Sequence, residues 1–443
     1  MAAIIDKSSY RIDVNSDALI ILDTLHRNGF QAYVVGGCVR DALIGLTPHD
    51  WDICTDAVPD QVRRLFGENH CIPTGIQHGT VTVHAGSGFL EVTTFRTEGS
   101  YSDGRHPDSV SFIRDVREDL ARRDFTVNAM AYSPEEGLID PFGGVEDLLV
   151  NHVIRAVGDP AERFSEDALR IMRFYRFAAR LDFALDPATE QAALRLAPTL
   201  EHVSAERIRD ELVKTLLTRA PSGYLPKAVL RQILPELALE EESDFQRTMR
   251  LCDLCRPKKS QRLAALFSRL TGSGVPEERA RRAMRKLRFS NEETDSVTRL
   301  VRHLAEKPQT GGYGQRVQAR LLLRDLGEEG AQDLTELWAA EKRAGSPAGQ
   351  PETENSPEAG LKALIREMAA SGECVSLKQL ALNGKELMEA YPQIRGKEIG
   401  ETLSGLLDDV IRERTANEKS ALLEDAARRA RAGRTGPDAR PED

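Results

Sequence analysis

Tyr33-Val-Val-Gly-Gly-Cys-Val-Arg-Asp-Ala-Leu-Ile-Gly-Leu-Thr-Pro-His-Asp-Trp-Asp-Ile-Cys-Thr55 decides how the chain is read. The apolar run Tyr33 to Val35 predicts a strand that stops at Gly36-Gly37, and Val39 to Ile44 reads as a helix closed by Gly45. A second strand carries Asp50-Trp51-Asp52. Alternation across that strand puts Asp50 and Asp52 on one face, with Trp51 pointing the other way into packing. Neighbouring carboxylates repel unless a cation lies between them, and Mg²⁺ takes oxygen ligands together with phosphate. The paired glycines let backbone N–H groups approach a triphosphate at a helix start, and Arg40 adds charge. The alternative is a surface D-x-D after an ordinary glycine turn. G-G-x-V-R-D followed about ten residues later by D-x-D is much rarer than either part alone. The stretch therefore reads as a phosphate-and-metal site for nucleotidyl transfer.

Around it, Ser16 to Gly29 predicts an amphipathic helix with Leu19, Ile20, Leu22 and Leu25, and a further helix follows Pro59. Two alternating strands, Gly79 to His84 and Phe89 to Phe95, flank a Gly86-Ser-Gly88 turn. Glu91, the only acid in the second strand, is the candidate third metal ligand; an exposed strand glutamate is the alternative. Residues 96–110 read as a mobile loop. In Asp119-Leu-Ala-Arg-Arg-Asp-Phe-Thr-Val-Asn-Ala-Met130, Arg123 is placed to reach ribose or phosphate while Asp124 and Asn128 organise the backbone. Pro and two Gly in Asp140 to Asp147 predict a hinge.

From Phe164 the composition turns helical. Ser165 reads as an N-cap, and Asp167, Arg170, Arg173, Arg176 and Arg180 form a drifting stripe along the helix. An ion-paired solvated face is one reading of that stripe. The other rests on base chemistry. Cytosine and adenine each present an amino donor beside a ring-nitrogen acceptor, which an aspartate and an arginine would satisfy together. Guanine and uracil present the reverse order and would leave both contacts mispaired, at far greater cost than a lost methylene.

The G-G-x-V-R-D, D-x-D, R-R-D-F-T-x-N-A and E-D-x-x-R segments together resemble the class II tRNA CCA-adding enzymes and bacterial poly(A) polymerases. The resemblance covers most of residues 15–300. It implies an α+β chain whose N-terminal nucleotidyltransferase (polymerase-beta-like) head, with a small mixed sheet, precedes an all-helical neck, body and tail. Expected boundaries are 1–150 (head), 151–221 (neck with base recognition), 222–342 (body), 343–358 (flexible linker or insertion), 359–426 (tRNA-binding tail) and 427–443 (disordered). The implied activity is untemplated addition of CCA to tRNA from CTP and ATP, with Mg²⁺ on Asp50 and Asp52 and Glu91 as the candidate third ligand. Nucleotide contacts would come from Gly36, Gly37, Arg40, Arg123, Asp167, Arg170, Arg173 and Arg176. A poly(A) polymerase, a CC-only or A-only enzyme, and a non-catalytic RNA-binding protein are the alternatives. Ser268 and Arg269 stand where some relatives carry the His-Asp pair of a metal-dependent phosphohydrolase, so that activity is not expected.

The 443 residues are enough for several domains, and the net charge of −10 works against RNA, so phosphate contacts must come from local basic patches. Arg279 to Arg288 is the most basic helix, a candidate for RNA backbone contact or a plain solvated face. Six scattered cysteines form no disulfide framework, and Cys252-x-x-Cys255 lacks the second pair a zinc site needs. Without a signal pattern or membrane-length apolar run, a cytoplasmic protein is expected, with no membrane contact and no protein partner implied.

Overall fold

The structure is a computed structural model that describes residues 10–99, 110–235, 237, 241–270, 274–345 and 356–432. Two compact units divide between Pro235 and Glu236.

The first unit is built on seven strands: β1 (Ala32–Val35), β2 (Ile53–Thr55), β3 (Cys71–Gly75), β4 (Thr80–Ala85) and β5 (Gly88–Thr94), then, after a separate ribbon of β6 (Arg96–Glu98) and β7 (Val110–Phe112), β8 (Ala131–Ser133) and β9 (Gly137–Ile139). Their order is β3-β4-β5-β2-β1-β8-β9. The β2–β5 pair is parallel and the other pairs are antiparallel, so the sheet is mixed, as expected. All four β1 residues are buried, which explains why Tyr33-Val-Val reads as a continuous apolar run rather than an alternation. In β4 and β5 alternation holds: Val81, Val83, Leu90 and Val92 are buried, while Phe89 and Glu91 face out.

Several local expectations need correction. Asp50, Trp51 and Asp52 lie in the extended segment just before β2, which begins at Ile53. The first helix is Ser16–Arg27, capped by Asn15; it buries Ala18, Ile21, Leu22 and Leu25 and leaves Leu19 and Ile20 exposed. The 96–110 loop is in part the β6–β7 ribbon, and its residues 100–109 lie outside the described residues. The Asp140–Asp147 segment is an anchored turn rather than a hinge. Both Asp140 carboxylate oxygens accept backbone N–H groups of Gly144 and Val145, and a Cβ on Gly144 would sit 2.2 Å from the Thr126 carbonyl oxygen. Ser165 is no N-cap: it lies inside the Pro160–Glu166 helix, the chain breaks at Asp167, and the Leu169–Leu181 helix starts with Leu169 N–H donating to Asp167 Oδ1 at 3.0 Å.

The second unit is helical where it is described. Its long Gly312–Ala344 helix bends at Gly327 (φ 69°, ψ 179°), a backbone conformation that interrupts the α-helix. A cluster around Leu382, Leu387, Leu406, Ile411 and Leu422 forms an apolar core near the C-terminal end. The Lys419–Ala432 helix runs into the stretch expected to be disordered, whose remaining residues 433–443 lie outside the described residues, as do 346–355 of the expected linker. Among the described residues no helix is long and apolar enough to cross a membrane.

Candidate active site

The geometry starts at Gly36. Its φ of 81° ends β1 in a conformation that favours glycine, and a Cβ there would lie 2.8 Å from Arg123 Nη1. The missing side chain lets Arg123 lie against the turn that opens the Gly37–Leu43 helix. Arg123 also lies 3.5 Å from Asp119, and its Nε is buried without a hydrogen-bond partner.

Beside this turn, Asp50, Asp52 and Glu91 line one cleft of about 630 Å³ together with Asn15, Asp17, His49, Trp51, Thr82 and Phe89. The volume is within the range of small-molecule sites. Glu91 reaches the cleft because it stands opposite Thr82 on the outward face of the β4–β5 pair. The tip of that pair is fixed by Asp17, whose carboxylate accepts from Ser87 N and Oγ; a Cβ on Gly86 would lie only 2.0 Å from Asp17 Oδ1. Asp52 is exposed to the open cleft, yet the protein crowding its walls pushes the carboxyl above the usual aspartate range. Glu91 and Asp50 push the same way, against the pull of Arg123. A divalent cation would relieve this repulsion, so the donor set fits a hard oxygen-seeking metal. Among the described residues, no group of three His, Cys, Asp or Glu side chains is already arranged to hold a metal ion.

The other residues singled out from sequence are engaged within the protein. Arg40 is 2 % exposed; its guanidinium donates to Asp41 and to Asn128 Oδ1 and lies 5.1 Å from the Phe177 ring centroid. Asn128 in turn donates to Asp124 Oδ1, while Asp124 Oδ2 accepts from Arg173 Nε and Nη2 at 2.9 and 2.6 Å. Burial alone would raise the Asp124 carboxyl, but Arg173, Asn128 and Arg170 together hold it down at about 2. Arg176 pairs with Glu211 and lies over Phe177, and Arg180 pairs with Asp41 at 2.8 Å. Arg173 and Arg176, expected to contact the nucleotide, instead tie the Leu169–Leu181 helix to the turn at Asp124 and to the Ala205–Leu216 helix.

The side chains of Asp167 and Arg170 do not pair with each other, although the Arg170 backbone N–H donates to the Asp167 carbonyl at 2.9 Å. Asp167 accepts from Arg207 at 2.7 Å, and Arg170 pairs with Glu166 while donating to the Arg163 and Arg122 carbonyls. Sequence reasoning missed Asn15, Asp17, His49, Phe89, Arg207 and Glu211. Arg207 and Glu211 are one turn apart on the Ala205–Leu216 helix, and that spacing was the available signal.

A mixed sheet with a glycine turn, paired aspartates and a facing strand acid defines a nucleotidyltransferase head, and the comparisons agree. The profile of the Poly A polymerase head domain matches residues 32–155, that of the RNA- and SrmB-binding site of polymerase A matches 182–240, and that of tRNA nucleotidyltransferase domain 2 matches 256–426. The CCA-adding enzyme of Enterococcus faecalis is 34% identical over 92% of this chain and 94% of its own length; that of Limosilactobacillus fermentum is 38% identical over 92% and 95%. The crystal structure of the Bacillus stearothermophilus CCA-adding enzyme in complex with CTP superposes with a TM-score of 0.75 at 34% identity, covering 94% of this chain and 98% of that one. The chain belongs to the CCA-adding enzyme family of tRNA nucleotidyltransferases.

Proposed function

We propose that the protein completes the 3′ end of tRNA with C, C and A, taking CTP and ATP and releasing pyrophosphate without a nucleic-acid template. The observation that carries this reading is the convergence of Asp50, Asp52 and Glu91 on one cleft beside the Gly36 turn. Mg²⁺ would be held by Asp50 and Asp52, with Glu91 as the third donor, and when bound it stabilises charge on the attacking 3′-hydroxyl and the pyrophosphate leaving group. Arg123, with donor capacity left at Nε, supplies positive charge beside the glycine turn.

Base choice falls to Asp167 and Arg170. An ionised carboxylate offers about four lone-pair sites, so Asp167 can be oriented by Arg207 and still accept from the amino group of cytosine or adenine. Arg170 would donate to the adjacent ring nitrogen. Arg173 and Arg176 serve this site by holding the Leu169–Leu181 helix to Asp124 and Glu211, and Arg40, bonded to Asn128, packs on Phe177 of the same helix.

The test is incorporation on tRNA lacking its 3′ end, with each labelled nucleotide supplied singly and then in pairs. C, C and A followed by arrest supports the reading. Long ATP-only tails would make this a poly(A) polymerase, a stop after CC or a single A a split-function enzyme, and no incorporation with Mg²⁺ present a binding protein. In the same assay Asp167→Ala relaxes discrimination against UTP and GTP; strict selectivity retained would remove the Asp/Arg assignment.

A further inference from the structure

The cleft wall carries an aromatic group that nucleotidyl transfer itself does not require. Phe89 is 63% exposed, the most exposed large apolar side chain among the described residues. It lines the same cleft as Asp50, Asp52 and Glu91 and stands two residues from Glu91 on the same face of β5. Directly opposite on β4 is His84, whose ring centroid lies 4.8 Å from that of Phe89 at an interplanar angle of 47°. His70, at the end of the turn before β3, continues the series with its ring 6.0 Å from His84 and tilted only 10°. Three rings thus run from the carboxylates outward across an open sheet face. Aromatic pairs gain from such geometry, but an exposed phenylalanine gains little from folding and leaves apolar surface in water.

We propose that the Phe89–His84–His70 series is a stacking track for the unpaired 3′-terminal nucleotides of the RNA acceptor. This rests on the nucleotidyl-transfer reading, because the reacting 3′-hydroxyl must lie at the carboxylates and the strand behind it must leave the cleft across a neighbouring surface. Stacking tolerates either base, since every base has a π-face. A strand whose last residue changes from C to C to A therefore needs this kind of support rather than hydrogen bonds to base edges. An acidic protein gains from it as well, because stacking does not depend on net charge.

The experiment measures equilibrium binding of an RNA hairpin with three unpaired 3′ nucleotides to the full-length protein, beside the same hairpin with abasic sites at those positions. Phe89→Ala should weaken binding of the intact hairpin about tenfold, the lower part of the range for one lost base stack. The abasic hairpin should bind both proteins equally weakly. Phe89→Trp should keep wild-type affinity, whereas Phe89→Leu should behave as alanine, and His84→Ala should show a smaller loss in the same direction. Unchanged affinity in Phe89→Ala, full rescue by leucine, or equal losses with intact and abasic RNA would overturn the proposal. So would a rise in nucleotide KM with RNA affinity unchanged, which would assign the ring to the incoming base. Asp52→Ala separates the two readings: it should bind RNA normally and fail to extend it.

Discussion

The two units use charge differently. In the first, charged groups go inside and tie distant segments together: Arg40 with Asn128, Asp124 with Arg173, Arg176 with Glu211. In the second, the C-terminal core is aliphatic and many ion pairs join exposed side chains, as for Lys397 with Glu401 or Lys385 with Glu389, although Arg262 and Asp333 are buried there too. Buried charge is a poor way to gain stability, because desolvation cancels much of the attraction. It does fix geometry, since a buried carboxylate accepts only the partner and direction that satisfy it. The unit that carries the cleft spends its polar groups on position; the helical unit relies more on apolar packing, with fewer buried charged groups tied to one another.

Substitutions sharpen this contrast. The largest effect is expected for Asp52→Ala, which should lower nucleotide incorporation by roughly 10²–10³-fold or more with an unchanged denaturation midpoint; loss of stability instead would make Asp52 a structural residue. Leu406→Ala in the aliphatic cluster should cost about 2–5 kcal/mol by denaturant titration, with no change in the shape of the acid-unfolding profile. Asp124→Ala should cost about 2–3 kcal/mol, less than a fully buried pair because Arg173 is about a third exposed, and incorporation should fall with it.

Asp124 also sets a pH signature. Its folded carboxyl titrates at about 2 against an unfolded value near 3.9, so its contribution is fully present above the unfolded value and is lost as pH falls through about 2. Asp124→Asn should flatten the acid-unfolding slope between about pH 4 and pH 2; an unaltered slope would mean the carboxylate is not held by Arg173 in solution. At the small end, Lys397→Met, which removes an exposed pair with Glu401, should shift stability by no more than about 1 kcal/mol, and a larger loss would show that the second unit also depends on its surface charge.

What could be read from sequence was local. Glu91 belongs to an alternating strand whose periodicity predicts its direction, and β1, β4, β5 and several helices followed from apolar spacing, whereas Asp50 and Asp52 precede β2 and share their cleft with Trp51, which alternation had turned away. Arg40 looked like a phosphate ligand because sequence displays a charge and hides its partner, here Asn128, 88 residues away. Asp167 looked like a group inside a helix capped by Ser165. The break at Asp167 arises where two helices meet, and propensity does not distinguish a serine that caps from one that bonds back to the carbonyl four residues earlier, as Ser165 does to Ala161. The expected hinge at Asp140–Asp147 failed similarly, since glycine there permits close approach to Thr126 rather than motion.

The tether between Asp17 and Ser87 bears on how the molecule is made. Its partners are 70 residues apart, and those of the Asp41–Arg180 pair 139 apart. At about 5–20 residues per second on the ribosome, the first helix waits several seconds for the hairpin that walls the cleft, and the second pair closes later still. During synthesis the carboxylate cleft is therefore framed before the Leu169–Leu181 helix exists to pair with Asp41, so the nascent chain closes the walls of its cleft first and ties in that helix second.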